Sequence, residues 1–420
     1  MRSQFGIIVS LAIFAVLEYY NFIAVNVSMR NYNNTFRYSV FAIYALITLL
    51  VWISLFSFRS WTSADFNPSL RVLIISFVLG FLAAKVLVAT FMIIDDFRRL
   101  ITWCIRHLSG FFPQAPKDPV EIPNGISRSS FIARMAILAG GLLFTGFMYG
   151  PKNRYRYVIK RYKIKLDNLP ESFKGLKIVQ ISDIHSGSFD NLEAVAHGVD
   201  LITKEKADLI LFTGDLVNNK AAEIEPYKNI FSKLSAPMGV FSTLGNHDYG
   251  DYVEWPSADE KVANLEQLKQ HHADMGWKLM MNEHVVFEKE GQKIALLGVE
   301  NWSNMARFPK HGNLAKAYEG LAAENVAVKI LMSHDPTHWD AQIRPGYKDI
   351  DLTLSGHTHG MQFGLRLSFM QWSPVKYVYK QWAGLYQEGK QYLNVNVGYG
   401  FLGYPGRLGI LPEITVIELV

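Results

Sequence analysis

The sequence predicts an all-α membrane domain over residues 1–150, followed over 151–420 by an α/β domain in which buried strands alternate with helices. Three observations carry this reading. Long apolar segments dominate the chain up to Gly150, where the composition changes sharply. Beyond that point, five short apolar runs each stop abruptly at a polar cluster. Helical stretches such as Asn191 to Glu205 and Pro226 to Leu234 separate the first of these runs, as in a sheet covered by helices. A length of 420 residues itself favours more than one domain.

In the first domain, Phe5 to Val25, Val40 to Phe58 and Leu70 to Ile94 each have the length needed to cross a hydrocarbon core of about 30 Å. Phe131 to Tyr149 is a shorter fourth candidate, interrupted by Arg134, so three or four transmembrane helices are expected. Between the third and fourth, Phe97 to Pro123 carries Arg98, Arg99, Ile101, Trp103, Ile105, Arg106 and Leu108. This pattern reads as an amphipathic interfacial helix followed by a Pro-rich linker. The net charge of +5 and pI near 8.9 arise from basic residues that flank apolar spans. They form no stripe with stacking aromatics, so the expected partner is a lipid bilayer and not nucleic acid.

Two charges fall inside the spans. Glu18 is thirteen residues after Phe5 and Lys85 fifteen after Leu70, which places them at similar depth in two spans of the same direction. A charge in lipid is costly unless paired, so the two either face each other in the bundle or separate, Lys85 snorkelling and Glu18 lying at the interface beside Tyr19 and Tyr20. For sidedness, the basic segment Arg98 to Arg134 argues for a cytoplasmic loop. Ser127 to Ile132 also resembles a twin-arginine export signal with one arginine lost. Lys152 to Lys165 is basic as well, but its alternation with Tyr155, Tyr157, Ile159, Tyr162 and Ile164 reads as the first strand of the folded domain. The expectation is an integral protein of a bacterial inner membrane with its second domain on the outer face.

The five runs are Leu176 to Ser182, ending at Asp183 and His185; Ala207 to Thr213, ending at Gly214 and Asp215; Gly239 to Leu244, ending at Gly245, Asn246, His247 and Asp248; Val326 to Ser333, ending at His334 and Asp335; and Ile350 to Ser355, ending at Gly356, His357, Thr358 and His359. Short Val-, Ile- and Leu-rich runs with polar stops read as buried strands delivering side chains at their carboxyl ends, the edge where α/β sheets bind ligands. Imidazoles, carboxylates and an amide oxygen suit Mn, Fe or Zn better than Ca. The only cysteine, Cys104, lies far upstream, which excludes a thiolate cage or a disulfide framework.

In order, these clusters resemble the calcineurin-like metallophosphoesterase pattern of D-x-H, GD-x-x-D/N, GNH-D/E, a lone His and GH-x-H. The chain reads Asp183-x-His185, Gly214-Asp215-x-x-Asn218, Gly245-Asn246-His247-Asp248, His334 and Gly356-His357-x-His359. The resemblance covers roughly Tyr157 to Val420 and extends to the membrane-associated bacterial branch through Gly356 to Gln362, Asn396 to Gly400, Arg407 and Pro412-Glu413. Met361 departs from that branch's usual glycine, an exchange expected to narrow the site mouth.

The resemblance implies a two-sheet metallophosphoesterase sandwich flanked by helices and a pair of divalent ions. Asp183, His185 and His359 would hold one ion, Asn246, His334 and His357 the other, and Asp215 would bridge both, since only a carboxylate offers two anionic oxygens to two cations. A hydroxide held between the ions would attack phosphorus. His247 would serve the leaving oxygen as a general acid, with Asp248 orienting its ring. Arg407, on a Gly-rich loop, reads either as a guanidinium fork for a substrate phosphate or as a solvated loop arginine.

Blander readings attach to the remaining residues. Asn218 is expected as a turn or supporting residue, and Asp248 and Asp335 are equally consistent with helix N-caps. His197, His271, His272, His284, His311 and His338 are expected at the surface or in a cap. Val285 to Glu288, Lys293 to Val299, Tyr392 to Val397 and Glu413 to Leu419 are assigned to the second sheet, and Asp251 to Gly276 to a cap beside the metals. Aromatics from Phe363 to Tyr386 form either a lipid- or substrate-facing wall or an ordinary core. The function implied is a membrane-anchored, two-metal hydrolase of phosphodiester, pyrophosphate or phosphomonoester bonds in a small molecule, lipid or envelope precursor. The alternatives are a cytoplasmic-face pyrophosphatase of a nucleotide-linked acyl sugar, or a non-catalytic scaffold.

Overall fold

The computed structural model describes residues 2–58, 66–109, 127–367 and 369–420. The chain divides into two compact units, Met1–Tyr149 and Gly150–Val420. The first contains, among the described residues, helices α1 (Arg2–Ser28), α2 (Asn34–Phe56), α3 (Pro68–Ser109) and α4 (Arg128–Tyr149). Asn34–Phe56, Pro68–Ile105 and Arg128–Asn153 are long and apolar enough to cross a membrane, and α1 contributes a shorter apolar stretch, Ala12–Ser28. Exposed Ile43, Leu46, Leu50 and Ile53 on α2 are side chains that lipid, not water, would cover. Helices α3 and α4 approach closely because Gly140 faces Ala84 and Val88, where a Cβ would collide with the Val88 side chain.

One expectation changes here. The amphipathic stretch from Arg98 to Leu108 is no separate interfacial helix but the uninterrupted continuation of α3, which runs for 42 residues. Nothing in the sequence between Ile94 and Arg98 breaks a helix, and Asp95 instead pairs with Arg98 and Arg99 one turn on. Most of the Pro-rich linker, residues 110–126, lies outside the described residues.

The second unit contains two mixed six-stranded sheets. The first holds β1 (Val158–Ile164), β2 (Lys177–Ile181), β3 (Leu209–Phe212), β4 (Val240–Ser242), β5 (Lys278–Leu279) and β14 (Glu413–Leu419), in the order β1-β14-β2-β3-β4-β5. The second holds β6 (Glu283–Lys289), β7 (Gln292–Gly298), β8 (Val328–Met332), β9 (Leu352–Ser355), β12 (Gly384–Glu388) and β13 (Gln391–Val395), in the order β12-β13-β9-β8-β7-β6. A small hairpin, β10 (Leu365–Arg366) and β11 (Gln371–Trp372), stands apart from both.

Alternation along each strand builds the layers. On β3, Leu209 and Leu211 point into the core between the sheets, where they join Ile294, Ile330 and Leu352, while Ile210 and Phe212 point outward under helices. Burial on both faces is why these strands are continuous apolar runs. Helix α5 (Leu192–Lys204) covers the first sheet with Val195, Val199 and Ile202, one face at helical spacing, and Asn191 caps it by accepting the Ala194 N–H at 2.9 Å. On the far side, Trp339, Leu314 and Ala317 cover Leu297, Leu331 and Val395 of the second sheet.

Two placements differ from the sequence reading. Glu413 to Leu419 forms β14 of the first sheet, between β1 and β2, and not part of the second. Its residues are apolar on both faces, Ile414 and Val416 joining the outer core and Ile417 and Leu419 the inner, which suits an interior position. The segment assigned to a cap contains α6 (Ala258–Asp274), which connects β4 to the parallel strand β5 and buries Leu268 against the first sheet. Its His271 and His272 are buried, as is His338 elsewhere, so these three are not surface histidines.

In the membrane unit, Glu18 and Lys85 form an ion pair, which overturns the snorkelling alternative. Tyr44 donates to Glu18 at 2.6 Å, Lys85 donates to Thr48 at 3.1 Å, and Asn21 donates to the Lys85 carbonyl at 3.0 Å. Three helices thus share one polar cluster. Lys85→Met alone leaves Glu18 unpaired and is expected to lower stability by on the order of 3 kcal/mol, whereas E18Q/K85M loses less. Thermal unfolding of the purified protein in detergent checks this; strictly additive losses would mean that the two charges do not interact.

Candidate metal centre

The carboxyl ends of β2, β3 and β4 in one sheet and of β8 and β9 in the other open at a common rim, because all five run in the parallel sections of their sheets. The loops that follow them turn unusually sharply. Asp183, His185, Asp215, His357 and His359 all adopt left-handed backbone, with φ of 51°, 48°, 63°, 72° and 51°. Such conformations cost roughly 1–3 kcal/mol each and persist only where the surroundings enforce them. Here they do: Asp183 N–H donates to the Gly214 carbonyl at 2.9 Å and His185 N–H to the Asp215 carbonyl at 3.1 Å, so one loop templates the next. Glycine is needed at Gly245 and Gly356 because a Cβ at either would overlap the carboxylate of Asp215 or Asp183.

Two donor groups result. Asp183, His185 and His359 form one and Asp215, His334 and His357 the other, the ligand atoms of each lying within 4.8 Å of one another. Asp215 stands between them, with Oδ2 3.5 Å from His185 Nε2 and 3.1 Å from His334 Nε2. His359 Nε2 lies 3.3 Å from Asp183 Oδ1, and His357 Nδ1 lies 3.2 Å from His334 Nε2. Asn246 is buried on the β4 loop, its amide nitrogen held by the Tyr252 hydroxyl at 2.8 Å and its Oδ1 unpartnered.

Electrostatics agree with a cation-binding cluster. Burial pushes His185 down to about 3 and His357 to about 4, and His359 falls well below the imidazole range, so these rings are neutral and offer lone pairs. Burial also opposes charge on His334 and Asp215, yet each holds the other charged: Asp215 lifts His334 to about 10, while His334 and then His247 keep Asp215 well below the usual carboxylate range. Burial raises Asp183 to about 6. Both ring nitrogens of His185, His359 Nε2 and Asn246 Oδ1 are buried without a hydrogen-bond partner, each a cost of roughly 1–3 kcal/mol that a bound cation would relieve. The residues present therefore fit a pair of divalent ions.

The residues around the two groups are placed differently from expectation in two cases. Asp248 does not orient the His247 ring. Its carboxylate accepts the N–H groups of Asp215, Leu216, Val217 and Gly245 at 2.8 to 3.3 Å and so pins the β3 and β4 loops together. The His247 ring is held through Asn218, whose carbonyl lies 2.8 Å from Nδ1. Asn218 is thus a supporting residue. Arg407 is neither a solvated loop arginine nor a fork facing substrate, since it is 0% exposed. Its guanidinium donates to the carbonyls of Val397, Gly398 and Gly400 and lies 3.4 Å from His359 Nδ1, closing the back of the site.

Sequence reasoning gave no part in the site to three neighbours. Tyr379 lies 2.7 Å from His357 Nε2, and Asp335, which caps the following turn through the Thr337 N–H, stands 3.5 Å from the same nitrogen. The charge of exposed Arg307 opposes the upward pKa shifts that burial gives Tyr379 and Tyr252, so an accessible guanidinium stands near the side chains that contact His357 and Asn246. No motif marks Arg307; its only signal is a basic residue beside Phe308, whose ring meets His357 at 4.7 Å.

Comparison with known proteins agrees with this geometry. Residues 176–361 match the model of the calcineurin-like phosphoesterases, and residues 1–153 match that of a probable calcineurin-like phosphoesterase transmembrane domain. The chain is 31% identical over 309 residues to the uncharacterized metallophosphoesterase YkuE of Bacillus subtilis, covering 70% of this chain and 98% of that one. It is 30% identical over 326 residues to a transmembrane protein with metallophosphoesterase domain from Danio rerio, covering 75% and 68%. It is 27% identical over 302 residues to phosphodiesterase YaeI of Escherichia coli, covering 70% of this chain and 100% of YaeI. With a relative matched over nearly its whole length and the five clusters gathered at one rim, the chain belongs to the calcineurin-like metallophosphoesterases, as a membrane protein and a metal-dependent hydrolase of phosphoric esters.

Proposed function

We propose that this protein is a membrane-anchored dinuclear phosphoesterase that cleaves a phosphodiester or pyrophosphate bond in a lipid or envelope precursor. The observation that carries the reading is the position of Asp215, one carboxylate within 3.5 Å of a histidine from each donor group. When bound, two divalent ions of the Mn, Fe or Zn class supply an activated water and neutralise charge on the phosphoryl oxygens. Asp183, His185 and His359 would hold one ion, Asn246, His334 and His357 the other, and Asp215 would serve both. His247, fixed through Nδ1 by the Asn218 carbonyl, keeps Nε2 free to pass a proton to the leaving oxygen. Arg307 meets the substrate phosphate at the mouth. The name of the relative YaeI supports a diester, and the membrane anchor supports an amphipathic substrate, since it keeps the enzyme where such molecules reside.

The second domain lies on the outer face in this proposal, on the strength of the basic segment before α4. Protease added outside sealed, right-side-out vesicles is expected to cut the second domain; protection there, with cleavage only after lysis, would put it in the cytoplasm beside nucleotide-linked substrates.

The main test couples metal analysis of the purified protein to a panel of phosphomonoesters, lipid diesters and nucleotide-sugar lipids. Asp215→Asn is expected to abolish turnover across the panel while circular dichroism stays unchanged; retained turnover would refute the bridging role. His247→Ala is expected to reduce kcat by about 10²–10⁴ with metal content unchanged. Loss of both metals in that variant would instead make His247 a ligand. Arg307→Ala is expected to raise KM with little change in kcat, and an unchanged KM would remove Arg307 from the substrate site.

A further inference from the structure

The aromatic region from Phe363 to Tyr386 splits into two populations. Tyr379 and Trp382 are buried with Val375, Val397 and Ile410 in a small core beneath the site. The hairpin β10–β11 and the turn after it do the reverse: Leu365, Leu367, Phe369, Met370, Tyr377 and Val378 are all exposed, Phe369 by 83% and Tyr377 by 75%. Apolar side chains so concentrated on one protrusion mark an interaction surface.

The occupant follows from where the hairpin is rooted. Gly150 to Asn153 ends the apolar span that begins at Arg128. Within the second unit, the Gly150 carbonyl accepts the Arg407 N–H at 3.0 Å, and Asn153 donates to the Arg407 carbonyl at 3.1 Å. The next residue, Leu408, donates to Gln362 at 2.8 Å and accepts from Gly364 at 2.9 Å, and Leu365 begins the hairpin. The protrusion therefore grows from the same ladder that receives the chain as it leaves its last membrane span. Ser373, at the hairpin's far end, donates to the Gly360 carbonyl at 2.8 Å, next to the metal-centre residue His359. The polar component also matches: exposed Lys376 lies 5.4 Å from the Tyr377 ring, an aromatic and basic pairing of the kind enriched where protein meets lipid headgroups.

We infer that the β10–β11 hairpin and the turn through Val378 insert into the headgroup boundary of the bilayer that anchors the chain, seating the mouth of the metal centre against the lipid surface. The inference concerns a surface, so it stands or falls separately from the choice of substrate.

The test uses the full chain with Cys104→Ser and one new cysteine, Phe369→Cys, carrying an environment-sensitive fluorophore and reconstituted in vesicles of phosphatidylcholine and phosphatidylglycerol. Tyr377→Cys serves as a second labelling position, and Glu266→Cys on α6 is a control from another part of the domain. Both hairpin labels are expected to emit to the blue of the control, to lose intensity with lipids brominated at shallow acyl positions and to resist aqueous iodide. Iodide-sensitive, red-shifted emission at both positions would overturn the inference. So would emission that changes with protein-to-lipid ratio, which would mean that a second copy covers the hairpin. Because no readout involves turnover, an inactive preparation still distinguishes these outcomes.

Discussion

Everything at the rim of the second domain is organised by one buried carboxylate. Asp215 is almost fully enclosed, accepts the His247 N–H at 2.8 Å through one oxygen and faces His185 and His334 through the other. Enclosure alone would make its charge untenable. The neighbouring imidazoles reverse that, His334 foremost, and keep Asp215 below the usual carboxylate range. The arrangement is electrostatically tense by construction, and a protein fold tolerates such tension mainly where a ligand is meant to relieve it.

The scaffold absorbs this tension in the backbone. Five of the proposed ligands sit in left-handed conformations, and the β2, β3 and β4 loops lock one another through main-chain bonds and through Asp248. Asp248 itself is raised to about 7 by burial and by Asp215, yet its four N–H donors favour the charged form. Its work is architectural: it sets the spacing between the loop that carries Asp215 and the loop that carries Asn246 and His247. The parallel sections of both sheets then bring the β8 and β9 loops to the same edge, which is how residues far apart in the chain come to share one pocket.

Much of this was readable in the sequence, for a physical reason. Strands buried on both faces appear as unbroken apolar runs, so β2, β3, β4, β8 and β9 announce themselves, and each stops where its side chains must turn polar. The motif residues at those stops are the ones that converge. What stayed hidden was pairing and direction. The sequence of β14 shows that both faces are buried but not which strands flank it. Arg407 reads as a loop arginine, either solvated or turned to a phosphate, because it follows glycines, although backbone carbonyls of Val397, Gly398 and Gly400 claim its guanidinium. Arg307 carries no motif because its nearness to the site depends on where Tyr379 and Tyr252 lie in space. In the membrane unit, Glu18 and Lys85 were legible as a depth match, whereas the facing of their helices depends on contacts such as Asn21 donating to the Lys85 carbonyl.

Arg407 has a mechanical side as well. Its main chain is bonded to Gly150 and Asn153, where the last apolar helix gives way to the folded domain, and its side chain reaches the rear of His359. A single residue is thus a strut between the start of the second domain and the candidate site. Within the second domain, the entry of the chain and the rear wall of the site therefore share one support, with no slack loop between Gly150 and a histidine that helps to define the site.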